Sequence, residues 1–126
     1  MSNKHRGEME VKLNGKSYTL RATFDALARI EDRVGCGVSY LLEKSKIGDI
    51  TIKQIESVLE EGARAGGQKM TEKDCEELQD HIIDEGINGA GIAVVQFLVM
   101  ALTGGPEYDR IAQQVKARDE DNEGNA

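Results

Sequence analysis

The dipeptide Asn14-Gly15, set between two segments that alternate apolar and polar residues, most constrains how this chain folds. Asn-Gly favours a two-residue type I′ turn, because both positions tolerate positive φ, and a two-residue turn fixes the strand register. Leu13 then faces Lys16, Val11 faces Tyr18 and Met9 faces Leu20; Glu8, Glu10 and Lys12 face Arg21, Thr19 and Ser17. Met9, Val11, Leu13, Tyr18 and Leu20 fall on one side of this ribbon and the polar residues on the other. A lone hairpin is marginal in water, so residues 8–21 need helices to cover their apolar face.

The helices are marked by their caps. Thr23 is placed to cap a helix running to about Val34, with Phe24, Leu27, Ile30 and Val34 on one side and Gly35 as its left-handed stop. A short helix follows Ser39 and fades before Gly48. Thr51 and Gln54 match a capping box, with Ile50 and Ile55 at the staple positions. Ile52, Ile55, Val58, Leu59 and Ala63 continue that helix as an apolar stripe until Gly66-Gly67. Thr71 opens the next, with Glu72 and Asp74 in the first turn and Cys75, Leu78, Ile82 and Ile83 as its apolar positions; Cys75 reads as a small core hydrophobe, and Gly86 closes the helix. Residues Gly89 to Thr103, with Asn88 as the expected cap, are apolar nearly all round and predict a central helix wrapped by the others. A last helix carries Tyr108, Ile111, Ala112 and Val115 on one face and ends near Arg118. The expected class is therefore α+β, mostly α: a hairpin packed on a bundle of about five to six short helices. Residues 1–118 are expected to form a single globular domain with a loose start over 1–7, and 119–126 a disordered acidic tail.

The charge excludes some partners. The chain carries 23 acids against 16 Lys and Arg, and residues 72–85 hold seven acids with Lys73 as the only base. Nucleic-acid binders gather Lys and Arg on one face, so no nucleic acid is expected. The acidic helix reads either as a solvated face or as a docking face for a basic partner. The run Ile92–Leu102 contains one clearly polar residue, Gln96, but at about 1.5 Å per residue covers roughly 16 Å, well short of an apolar layer of about 30 Å; no membrane partner is expected. Two cysteines and an N-terminus without a signal pattern point to a reducing cytoplasm.

Chemistry-bearing groups do not assemble in the sequence. His5, His81, Cys36 and Cys75 lack zinc-ligand spacing, and Glu77, His81 and Glu85 line one helix face as a solvated stripe. Gly89-Ala90-Gly91 opens an apolar helix, yet it follows an acidic helix rather than a strand and lacks a third glycine, so it reads as close packing. No serine or cysteine sits in a nucleophile motif. The expectation is a protein without catalytic, cofactor or metal residues. Val38, Tyr40, Leu41, Leu42, Ile47 and Ile50 are either absorbed by the core or form an exposed partner-binding patch; weak self-association is left open.

Several stretches together resemble one family. His5-Arg6-Gly7-Glu8 precedes Leu13-Asn14-Gly15-Lys16-Ser17-Tyr18-Thr19-Leu20-Arg21, and Thr23-Phe24-Asp25-Ala26-Leu27-Ala28-Arg29-Ile30-Glu31 follows. Ile55 to Gly67 is similar to a helix ending in small residues, and Thr71 to Gly105 to a final helix pair. In this order they resemble the small tail assembly chaperones of phages and gene transfer agents, over about residues 3–105. The resemblance implies a non-enzymatic protein that coats the tape-measure protein, helps tail-tube protein polymerise around it and leaves before the particle is finished. It brings no active-site residues. The alternatives are a tail-tube-associated component retained in the particle, or a small regulatory or ligand-binding helical module.

Overall fold

A computed structural model describes residues 7–104. Strands β1 (Glu8–Leu13) and β2 (Lys16–Arg21) pair antiparallel in the register set by Asn14-Gly15, all six pairs included. Both turn residues have positive φ, 50° at Asn14 and 82° at Gly15, as a type I′ turn requires. Met9, Val11, Leu13, Tyr18 and Leu20 are buried. Five helices follow: α1 (Phe24–Val34), α2 (Val38–Lys46), α3 (Ile52–Ala65), α4 (Glu72–Glu85) and α5 (Ile87–Thr103). The fold is α+β, mostly α. The expected helix over 108–118, the acidic tail, the loose start and the outer limits of the domain lie outside the described residues.

The caps act as their chemistry dictates. Thr23 Oγ1 accepts the Ala26 N–H at 3.0 Å. Thr51 and Gln54 close a reciprocal box at 3.0 and 3.1 Å, with Ile50 packed on the core and Ile55 fully buried. Thr71 and Asp74 form a second such box, with Asp in the place usually held by Glu or Gln. Two starts differ from expectation. Helix α2 begins at Val38, whose N–H is taken at 2.9 Å by Glu31 of α1. Helix α5 begins at Ile87 with Gly86 (φ 97°) at its N-cap position and no side-chain cap, so Asn88 lies inside the helix.

The most enclosed helix is α3, and α5 is wrapped less fully than expected. Helix α3 touches β2, α1, α4 and α5, and every residue from Val58 through Ala63 is buried. Helix α5 buries Ala90, Ala93, Val94, Phe97, Leu98 and Met100 but leaves Ile92 59 % exposed and Leu102 open as well. Helix α5 also touches four elements, α2, α3, α4 and β1, yet one of its faces stays open, which an all-apolar sequence does not announce. Phe24, expected on the inner stripe of α1, is 88 % exposed. At 100° per residue it lies off the face centred on Ala26 and Ile30. Ile83 and Ile52 are likewise exposed at the edges of their stripes.

Helix α3 approaches β2 closely enough to require glycine. A Cβ on Gly66 would sit 2.0 Å from the Thr19 carbonyl oxygen, although Gly66 itself has an ordinary φ of −76°. The requirement is steric, not conformational. Gly66→Ala is expected to destabilise the protein by about 1–3 kcal/mol, as overpacking does, read as a lower midpoint in urea unfolding. A Cβ on Gly62 would meet Leu20 and Phe97 at an ordinary 3.4 Å, and Ala gains about 1 kcal/mol of helix propensity, so Gly62→Ala is expected near neutral in the same assay.

Candidate partner-binding surface

Beneath the surface, α1, α3 and α4 are tied by charge. Glu60 and Glu61 of α3 are only 8 % and 5 % exposed. Arg33 of α1 donates to Glu60 and, at 3.0 Å, to Glu61, and lies 3.6 Å from Glu56. Arg64 reaches Glu61 at 3.4 Å and the Met70 carbonyl at 3.1 Å. The Cys75 thiol of α4 donates to the other oxygen of Glu60 at 2.6 Å. Cys75 is thus half-buried and hydrogen-bonded, not the inert core hydrophobe its place on the stripe suggests. Burial and the Glu60 carboxylate push its thiol up to about 11, which keeps it protonated and a poor nucleophile. Burial would raise the Glu60 carboxyl, but hydrogen bonds from Cys75 and Arg33 outweigh it and hold the group below its ordinary value.

A second set of polar contacts joins α4 to the hairpin. Lys16 Nζ donates to Glu77 at 2.7 Å and stands over the Tyr18 ring, which meets His81 edge-on with centroids 6.2 Å apart. The Asn14 N–H and side-chain amide reach Glu85 and Asp84, each at 3.3 Å. Of the seven acids of α4, Asp74, Glu77, Asp84 and Glu85 therefore hold parts of the fold together, whereas Glu72, Glu76 and Asp80 face solvent. Among the described residues, no group of three His, Cys, Asp or Glu side chains is arranged to hold a metal ion. No single helix among them is long and apolar enough to cross a membrane.

Two apolar grooves open on the surface that these contacts shape. One, of about 250 Å³, lies between α3 and α4, lined by Ile52, Ile82 and Ile83 with Lys53, Glu56 and Gln79 at its rim. Glu56 also belongs to the Arg33 cluster, so the charge network sets one wall of this groove. The other, of about 450 Å³, lies between the end of α2 and α5, with Ile50, Ile87, Ile92 and Val95 as its apolar lining. Thr51 separates Ile50 from Ile52, and Gly86 lies in the turn between Ile83 and Ile87, so the grooves share these two boundaries.

The six residues singled out in the sequence divide. Leu41 and Leu42 are core residues, closed to a partner. Val38 and Ile50 pack against the core from its edge. Tyr40 and Ile47 are exposed, Ile47 by 79 %. Only Ile50 of the six lines a groove. Ile52 and Ile83 sit on stripes with helical period, where sequence pattern points inward; Ile92 lies in a run apolar nearly all round, and Ile87 falls before the expected start of α5. The excess of apolar positions on α5 was the available signal.

Among the described residues, a single short hairpin, five helices, a buried ionic tie and two isoleucine-lined grooves make up a small, mostly helical domain. Residues 6–104 match the profile of the family described as phage tail tube protein, GTA-gp10, and the chain belongs to that family of tail-associated proteins. No curated protein and no solved structure matches it.

Two outcomes follow from the charge cluster. Arg33→Ala is expected to cost on the order of 2 kcal/mol, below the roughly 3–5 kcal/mol of a fully buried pair, because Arg33 is a third exposed and Arg64 remains; thermal unfolding reads it. Since the Glu60 carboxyl is lowered in the folded chain, its contribution is complete above the ordinary value of 4.5 and fades as pH falls through the folded one. Melting temperature should therefore drop more steeply below about pH 4.5 in the native chain than in Glu60→Gln, compared by calorimetry from pH 7 to 3.

Proposed function

We propose that this chain is a non-enzymatic tail assembly chaperone that binds the tape-measure protein and assists tail-tube assembly in the host cytoplasm. The observation that carries this reading is the isoleucine groove between α3 and α4, with Lys53, Glu56 and Gln79 at its rim, on a chain of a tail protein family. A long helix with apolar faces aggregates until something covers it. A groove of this size takes the apolar side chains of one or two helical turns. The exposed acids elsewhere on α4, Glu72, Glu76 and Asp80, add surface charge that keeps a coated helix in solution.

The scale of the surface supports a temporary partner. Permanent assemblies bury on the order of 2,000 Å² or more, with large apolar interface centres. Here the exposed isoleucines are divided between two narrow grooves. Contacts of that kind are individually weak and let tube subunits displace the coat. The family's description as a tail tube protein favours one second reading, a tube-associated component kept in the particle. Mass spectrometry of purified particles separates the two: chaperoning predicts depletion, and stoichiometric retention supports the second.

Co-expression with a tape-measure segment is expected to raise that segment's solubility and yield a complex on pull-down. Ile83→Asp, a change at an exposed groove wall, should leave the fold intact and weaken capture about tenfold, equivalent to about 1.4 kcal/mol. Absence of both complex and solubility gain rejects the chaperone reading.

A further inference from the structure

The two outer edges of the hairpin differ. In its register the backbone groups that point away from the ladder belong to Glu8, Glu10 and Lys12 on β1 and to Ser17, Thr19 and Arg21 on β2. The end of α3 closes the β2 edge, with Gly66 set against the Thr19 carbonyl. On β1, among the described residues, no hydrogen bond reaches the outward N–H and carbonyl groups of Glu10 and Lys12, and both residues are exposed. The apolar side chains show the same asymmetry. Met9 and Val11 are 7 % and 6 % exposed, against 0 % and 2 % for their cross-strand partners Leu20 and Tyr18. An edge left in this state is a template for one more strand.

We propose that this strand is β1 of a second copy, paired antiparallel about a two-fold axis at Val11. Charge order selects both the occupant and the register. Charges on an edge strand ordinarily deter pairing, but here their order makes the edge complementary to itself. With Val11 on the axis, Glu10 of each copy faces Lys12 of the other on the solvent side. Sliding the strands to the adjacent two-fold registers that keep the outward groups paired sets Glu10 against Glu10 or Lys12 against Lys12. A slip of one residue instead pairs the solvent face of one copy with the core face of the other.

On the core side of the same register, Val11 meets Val11 and Met9 meets Leu13. Met9 and Val11 are the two least buried of the ribbon's apolar side chains, so pairing covers what the single chain leaves open. Reciprocal backbone hydrogen bonds join Glu10 and Lys12 on each side of the axis, and the ladder stops before Asn14, whose N–H is held by Glu85. A ladder this short makes a weak, reversible dimer.

Sedimentation equilibrium of the full chain tests this without a tail partner, so the result is independent of the chaperone reading. The native chain is expected to dimerise with rising concentration, and amide exchange at Glu10 and Lys12 to slow as it does. Glu10→Lys and Lys12→Glu, both on the solvent face, should each keep the native circular dichroism and weaken the dimer about tenfold or more. An equimolar mixture of the two variants should regain it, because every charge then meets its opposite across the axis. A native chain that stays monomeric at every concentration overturns the proposal and leaves the edge to a different strand. A dimer that neither substitution weakens overturns it too, and places self-association on another surface, as does a loss that mixing fails to reverse.

Discussion

Backbone-to-backbone proximity at the end of α3 governs this fold. With no side chain at Gly66, the helix comes down onto the Thr19 carbonyl, and with Gly62 it lies flush against Leu20 and Phe97. At that depth α3 touches β2, α1, α4 and α5 together. The hairpin gains the cover it needs, because a two-stranded ribbon has no stability of its own to spare. The rest of the packing follows from where α3 sits.

Depth has an electrostatic consequence. A helix buried on several sides carries whatever its sequence holds into the interior, and here that includes Glu60 and Glu61. Burial of two adjacent carboxylates is unfavourable unless each is paired and hydrogen-bonded. Arg33 from α1, Arg64 from α3 itself and the Cys75 thiol from α4 provide those partners, and so fix the relative placement of three helices. The same logic runs along α4, where Glu77, Asp84 and Glu85 take hydrogen bonds from Lys16 and Asn14. Acidity in this chain is partly an adhesive, and only the remainder, Glu72, Glu76 and Asp80, acts as surface charge.

What could be read from the residues follows from how local each signal is. Turn chemistry at Asn14-Gly15 depends on two residues, and the whole strand register followed from it. Caps at Thr23, Thr51 and Thr71 depend on three or four, and each helix start there is where its cap places it. Centrality is not local. Glu60 and Glu61 make α3 look half-solvated, and only the distant Arg33 reveals otherwise, while the unbroken apolar run of α5 looks more central than it is. The groove-lining residues are hidden for the converse reason. Ile52, Ile83 and Ile92 belong to helical stripes that are wider than the faces their neighbours cover, and stripe width cannot be judged without knowing the neighbours.

That surplus width gives the fold its capacity for contact. A domain of this size satisfies its hairpin and its α3 with one face of each surrounding helix, and the edges of those faces remain as two grooves separated by the Ile50–Ile52 turn and the α4–α5 corner. The groove walls are set by the buried ion pairs: Glu56 belongs both to the Arg33 cluster and to the α3–α4 rim. Ion pairs that hold a groove wall in place lower the conformational entropy a partner's binding would cost, and a small area keeps each such contact weak. Fixed walls and small area together are what the proposed chaperone role asks of such a surface.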